Sequence, residues 1–195
     1  MARRERVLFV CTANQGRSPM AEALLRARLA QRGTDGAVDV SSAGLWEGGF
    51  PVSKPVLEAV AERGGDLGAH RSRRVTAETA REYDLVLGLA REHVHEIVAL
   101  DPDLAARTFT LKALARHLDE RPPREASQSL AEYVAAEEVL EAGPDDDVDD
   151  PYGRPVSAVA ETAEEIAALL DRLVSRLWPP AGGAGGDRYG DAPAG

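Results

Sequence analysis

Cys11, Arg17 and Ser18 are the first residues along the chain whose types and spacing could do chemistry. They stand in Cys11-Thr-Ala-Asn-Gln-Gly-Arg17-Ser18-Pro19, between a short apolar run and the start of a helical pattern. Successive backbone N–H groups in a tight loop can converge on one point and hold an anion. A helix start adds unpaired N–H groups and the positive end of its dipole. Arg17 adds a planar fork that grips two oxygens of a phosphate. Asn14 and Gly16 are residue types that tolerate a left-handed backbone, which a loop wrapped around an anion requires. The same surroundings favour thiolate over thiol, and Ser18 can donate a hydrogen bond to the sulfur. Cys11 is therefore the candidate nucleophile, aimed at phosphorus held by Thr12, Ala13, Asn14, Gln15, Gly16, Arg17 and Ser18. An isolated cysteine and arginine at this spacing would more simply be a buried side chain and a solvated one. Strand, loop and Ser-Pro helix start occurring together weigh against that. The Walker-type and dinucleotide glycine patterns are both absent.

Phosphoryl transfer also needs a proton for the leaving oxygen and later a base for water. Asp149-Asp150-Pro151-Tyr152-Gly153 offers a carboxyl group. Pro151 stiffens the segment and Tyr152 can wall a pocket. An Asp-Pro pair on its own is an ordinary turn, so this assignment needs further support.

The elements that must position these residues follow from hydrophobic periodicity. Val7 to Val10 is a continuous apolar run, the pattern of a strand covered on both faces. Ser18 is expected to cap the next helix, with Pro19 at its first position. Met20, Leu24, Ala27 and Leu29 then recur near helical spacing up to Gly33. Val38 to Ser42, Asp84 to Leu89 and Thr108 to Leu111 read as further strands. Helices are expected around Val56–Val60, from Arg91 to Leu100, from Lys112, and over Ser157–Trp178. Strands alternating with helices imply an α/β fold, a parallel sheet with helices on both faces. Ligands of such sheets bind beyond the carboxyl ends of the strands, where the first strand delivers Cys11.

Composition sets the remaining bounds. The 195 residues suit one domain, and 44 % hydrophobic residues suit a globular one. A single cysteine excludes an internal disulfide and a multi-cysteine metal site. The net charge of −10 argues against nucleic acid as a partner. That charge sits within residues 119–150, which hold twelve acidic and two basic residues. Segment 119–147 reads as an acidic insertion, with a helix from Leu130 to Leu140. Its carboxylates are either simply solvated or border the site and favour basic substrates. Residues 179–195 read as a Gly-rich disordered tail. No targeting signal and no membrane span are visible, and the expected location is cytoplasmic.

The stretch Val7 to Leu24 resembles the N-terminus of low-molecular-weight protein tyrosine phosphatases, in particular their bacterial branch. Asp150-Pro151-Tyr152 resembles that family's general-acid loop, and Ser42-Ala-Gly44, His70-Arg-Ser-Arg73 and Asp84-Leu-Val-Leu87 also fit. The resemblance covers about residues 6–112 and 148–177 and implies one phosphatase domain over 1–178. It implies a three-layer sandwich whose four-stranded sheet has the flavodoxin-like order 2-1-3-4. It further implies a phosphocysteine mechanism without cofactor or metal. Cys11 would attack, Arg17 would hold the phosphate oxygens, and Asp150 would act as acid and then base. Ser18 would support the thiolate, Asn14 and His70 would hold the loop, and Trp46 and Tyr152 would wall the pocket. Substrates would be phosphorylated proteins or small phosphoesters, with inorganic phosphate as product and inhibitor.

Three departures refine the resemblance. Position 16 is Gly, where many relatives carry a second cysteine that can trap an oxidised nucleophile. The lone thiol also weighs against arsenate reductases of the same architecture, which relay electrons through further cysteines. Position 15 is Gln, unlike the apolar residue common in tyrosine phosphatases and the Thr of protein-arginine phosphatases. Phosphotyrosine is the first expectation and phosphoarginine the alternative. An inactive phosphate-binding module is disfavoured, because nucleophile, arginine and acid are all present.

Overall fold

The computed structural model describes residues 3–135 and 142–179. Strand β1 (Glu5–Cys11) buries every residue from Val7 onward. Successive side chains leave a strand on opposite faces. Val7, Phe9 and Cys11 accordingly enter the larger core, and Leu8 and Val10 enter a second core on the other side. Both faces are covered, which is why the run carries no polar alternation.

β1 pairs with β2 (Val38–Gly44) on one side and β3 (Leu85–Gly88) on the other, and β3 pairs with β4 (Thr108–Thr110). All pairings are parallel and the order is β2-β1-β3-β4, as the resemblance implies. The larger core takes side chains from α1 (Arg17–Gln31), α2 (Lys54–Ala61), α5 (Leu111–Asp119), α6 (Leu130–Ala135) and α7 (Val156–Leu177). The second core takes them from α3 (Ala77–Ala80) and α4 (Arg91–Leu100). α7 is the main prop of the larger core. Its Ile166, Leu170 and Leu177 are fully buried, and truncating any one to Ala would cost about 2–5 kcal/mol.

The start of α1 corrects one expectation. Gly16, not Ser18, is the capping residue, and Met20 N donates to Gly16 O at 3.1 Å. Pro19 is the third helical residue, a position where a missing N–H costs nothing because first-turn N–H groups have no intrahelical partner. The Ser18 hydroxyl makes no cap hydrogen bond. It turns instead toward Cys11, Asn14 and the Ala43 carbonyl.

The described part of the acidic segment is built into the fold. α6 buries Leu130, Tyr133 and Val134, and the Tyr133 hydroxyl donates to Pro122 O at 2.8 Å. Arg124 pairs with Glu5, and Asp146, itself buried, pairs with Arg116 on α5. Of the helix expected over Leu130–Leu140, residues 136–140 lie outside the described residues, as does the expected tail beyond Pro179.

Candidate active site

β1 ends at Cys11 and α1 begins at Arg17, so the five residues between them must turn within the carboxyl edge of the sheet. Asn14 makes that turn in the left-handed region, at φ 54°. Its side chain is wholly buried and every polar atom of it is used. Nδ2 donates to Ser18 Oγ at 2.9 Å and to Ser42 Oγ at 2.8 Å, and Oδ1 accepts from Arg73 N at 3.0 Å. His70 Nε2 bonds the Asn14 carbonyl at 2.9 Å. Ser42 in turn donates to Glu22 at 2.6 Å. One amide thus ties the loop to α1, to β2 and to the 70–73 segment. Gly44 lets β2 come close enough, since a Cβ there would lie 2.8 Å from Asn14 N.

The sulfur of Cys11 lies 3.0 Å from Ser18 Oγ. Asn14 already donates to that oxygen, so the single Ser18 proton goes either to Ala43 O, 3.1 Å away, or to the sulfur. A neutral thiol can donate to Ser18 while Ser18 donates to Ala43. A thiolate takes the Ser18 proton instead. The hydroxyl can therefore serve both states by rotation alone.

Arg17 is 5 % exposed. Its Nη1 donates to Val148 O at 3.0 Å and its Nη2 to Asp150 Oδ2 at 2.7 Å. The acid segment reaches it because Val148 N donates to Leu89 O at 2.8 Å, just past the end of β3. Asp150 Oδ1 accepts from Tyr152 N at 3.0 Å, which fixes the carboxylate against Pro151. Asp149 points elsewhere and pairs with Arg154 at 3.1 Å. Of the two adjacent carboxylates, only Asp150 stands on Arg17.

These groups meet in a cleft of about 540 Å³. Cys11, Thr12, Ala13, Gln15, Gly16 and Arg17 line its floor, and Trp46, Asp150 and Tyr152 stand around it. Asn14, Ser18 and His70 do not line it; the first two hold the floor from beneath and the third holds the turn through its carbonyl. Trp46 and Tyr152 are 65 % and 93 % exposed, so both present their rings to whatever enters.

His93 escaped the sequence reading. It is wholly buried, and its Nε2 bonds Thr12 Oγ1 at 3.1 Å. Burial, reinforced by Arg17, pushes the imidazole down to about 4, against the raising effect of Asp150 and Asp147. Thr12 therefore meets a neutral ring near pH 7. The available signal was spacing: His93 stands four residues before Ile97 on the buried stripe of α4. Val56 and Val159, which also line the cleft, were legible only as core residues of their helices.

Comparison with known proteins bears on this site. The family model for low molecular weight phosphotyrosine protein phosphatase matches residues 6–142. The low molecular weight protein-tyrosine-phosphatase Etp of Escherichia coli is 35 % identical over 131 residues, covering 66 % of this chain and 83 % of Etp. A protein-arginine-phosphatase of Geobacillus stearothermophilus is 30 % identical over 172 residues, covering 88 % of this chain and 95 % of its own. The crystal structure of a low molecular weight protein tyrosine phosphatase from T. tengcongensis superposes with a TM-score of 0.69 at 33 % identity, covering 89 % of this chain and 99 % of that one.

Proposed function

Because the chain belongs to the low molecular weight phosphotyrosine protein phosphatase family, whose members are cysteine-dependent hydrolases, we propose that it removes phosphate from protein phosphotyrosine through a phosphocysteine intermediate formed on Cys11. The observation that carries this reading is the convergence of Cys11, Arg17 and Asp150 on one cleft, with the Arg17–Asp150 contact at 2.7 Å.

In the first step Cys11 Sγ attacks phosphorus, the S–P bond forms and the bond to the tyrosyl oxygen breaks. Asp150 gives that oxygen its proton. Arg17 and the N–H groups of residues 12–18 hold the three other oxygens, where charge accumulates. In the second step the Asp150 carboxylate takes a proton from water as the water oxygen attacks phosphorus. The S–P bond breaks, Ser18 donates to the departing thiolate, and inorganic phosphate leaves. Phosphate fits the same donors, so it also acts as a competitive inhibitor. The single free thiol suits a reducing, cytoplasmic setting, and among the described residues no helix is long and apolar enough to cross a membrane.

Two aromatic rings at the cleft favour an aryl leaving group, which can stack between Trp46 and Tyr152. A second reading, protein phosphoarginine, draws on the polar Gln15 in the floor and on the 30 % identity to the protein-arginine-phosphatase. Turnover of matched phosphotyrosine and phosphoarginine peptides, with Cys11→Ser as the blank, decides between them. Faster release from phosphotyrosine is expected. Faster release from phosphoarginine reverses the substrate assignment, and release by the Cys11→Ser protein removes the phosphocysteine mechanism.

A further inference from the structure

Among the described residues five large apolar side chains are exposed: Trp46, Phe50, Leu100, Tyr152 and Val156. All but Leu100 come from the two segments that form the mouth of the cleft. Phe50 lies between Trp46 and Ser53, both of which line the cleft, and Val156 lies between Gly153 and Val159, which do the same. Trp46 and Tyr152 line the cleft itself, and Phe50 and Val156 stand next to its lining in the chain; solvated apolar groups clustered in this way mark a contact surface.

The rim that carries Phe50 is held in place before any substrate arrives. Phe50 N donates to Ser72 Oγ at 3.0 Å, Ser72 N donates back to Phe50 O at 2.8 Å, and Gly49 N donates to Ser72 O at 2.7 Å. Gly48 permits this approach, because a Cβ there would lie 2.2 Å from Ser72 O. The 70–73 strip is itself bonded to Asn14 through His70 and Arg73. The exposed ring is thus mounted on the same framework as the phosphate loop. An ordered apolar surface loses less entropy on binding than a mobile one.

Each charged residue of these segments has an oppositely charged partner. Glu47 pairs with Arg74, Lys54 with Glu58, Asp149 with Arg154 and Asp150 with Arg17. Those are all the charged residues of 46–54 and 149–159 together with Arg154. The mouth therefore presents self-paired charges and unpaired apolar side chains.

We infer that Phe50 and Val156 extend the cleft into a recognition rim that selects protein segments with apolar side chains beside the phosphorylated residue. The inference rests on the phosphatase reading above. The partner is a polypeptide in extended form whose phosphorylated side chain enters between Trp46 and Tyr152. Its neighbours in sequence then lie over Phe50 on one side and Val156 on the other.

The test compares phosphotyrosine peptides that differ only at the two flanking positions, which are Leu, Ser, Glu or Lys. They are assayed with the unaltered protein and with the Phe50→Ser, Val156→Ser double variant, alongside p-nitrophenyl phosphate. Half-exposed positions tolerate such replacements without loss of folding. The expected result is a kcat/KM about tenfold higher for Leu flanks than for Ser flanks, as one well-placed apolar contact allows. The double variant should lose that preference through KM, with kcat on peptides and turnover of p-nitrophenyl phosphate unchanged. Equal rates on all flanks, a preference for Lys or Glu flanks, or a preference that survives in the variant each overturn the inference. Absence of turnover on every substrate, p-nitrophenyl phosphate included, would instead defeat the phosphatase reading.

Discussion

Asn14 offers a perturbation whose two physical contributions can be separated. Asn14→Ala removes the partner of the part-buried Arg73 N–H and the amide group that donates to two buried hydroxyls. Leaving the buried Ser18 and Ser42 hydroxyls without that donor costs about 1–3 kcal/mol. It also forces a Cβ-bearing residue with no compensating side-chain bond to stay at φ 54°, which costs about 1–2 kcal/mol. Asn14→Gly loses the same hydrogen bonds but relieves the backbone, at about 0.5–1 kcal/mol of extra freedom in the unfolded chain. Both variants should therefore be destabilised by a few kcal/mol, with Ala the worse by about 1 kcal/mol. Urea unfolding at pH 7 measures both differences. Both variants should also lose activity, since the loop that aims Arg17 is no longer tied to β2. Alkylation of Cys11 at saturating phosphate reports that change independently of turnover. Equal stability of the two variants would mean that Asn14 is not held in the left-handed region. Full activity and stability in Asn14→Gly would refute the role of the network altogether.

Other perturbations reach different parts of the site. Asp150→Asn should slow hydrolysis most for esters with poor leaving groups and least for p-nitrophenyl phosphate, because the donated proton matters less as the leaving group improves; full activity on poor leaving groups would transfer the acid role to Asp149. For His93, the folded state binds a proton less readily than the unfolded chain, so stability should rise as pH increases from about 4 to 6.5 and be fully present above that. His93→Gln should flatten this rise in a pH series of urea midpoints, and an unchanged slope would place the pH dependence elsewhere. Brief peroxide treatment should add oxygen to Cys11 without the two-hydrogen loss of an internal disulfide, since no second cysteine exists; intact-mass analysis reads the difference directly.

What could be read from the residues alone was whatever lay close together in the chain. The loop from Cys11 to Ser18, the strand before it and the helix after it are contiguous, and local periodicity was enough to place them. The sheet order followed from the resemblance, and α4 stops at Leu100 just before Asp101-Pro102, as the proline requires. The misassigned cap at Ser18 has a physical reason: the hydroxyl had a stronger use nearby, against a sulfur and an amide, and local capping preference yields to such tertiary demands. His93 was invisible for a related cause. Its partner Thr12 is 81 residues away, and nothing in the spacing of α4 distinguishes a histidine that bonds the phosphate loop from one that merely fills space.

The acidic stretch shows what a charged segment can do besides lie in solvent. Its charge left two readings open, carboxylates that are simply solvated or carboxylates that border the site and favour basic substrates. Three of its carboxylates instead end on arginines from separate elements: Asp146 on Arg116 of α5, Asp147 on Arg91 at the start of α4, and Asp150 on Arg17 at the start of α1. Arg91 N also donates to Asp147 at 2.7 Å, and Val148 bonds past the end of β3. These contacts clamp the segment that leads to Asp150 against α5, α4, β3 and α1 in turn. Partly buried pairs of this kind contribute through geometry more than through net energy, because desolvation offsets much of the attraction. Their consequence is that a carboxylate 139 residues from Cys11 in sequence is held against Arg17, the proposed phosphate-binding arginine. Beside that placement of the acid, the proposed apolar rim is what would discriminate between substrates.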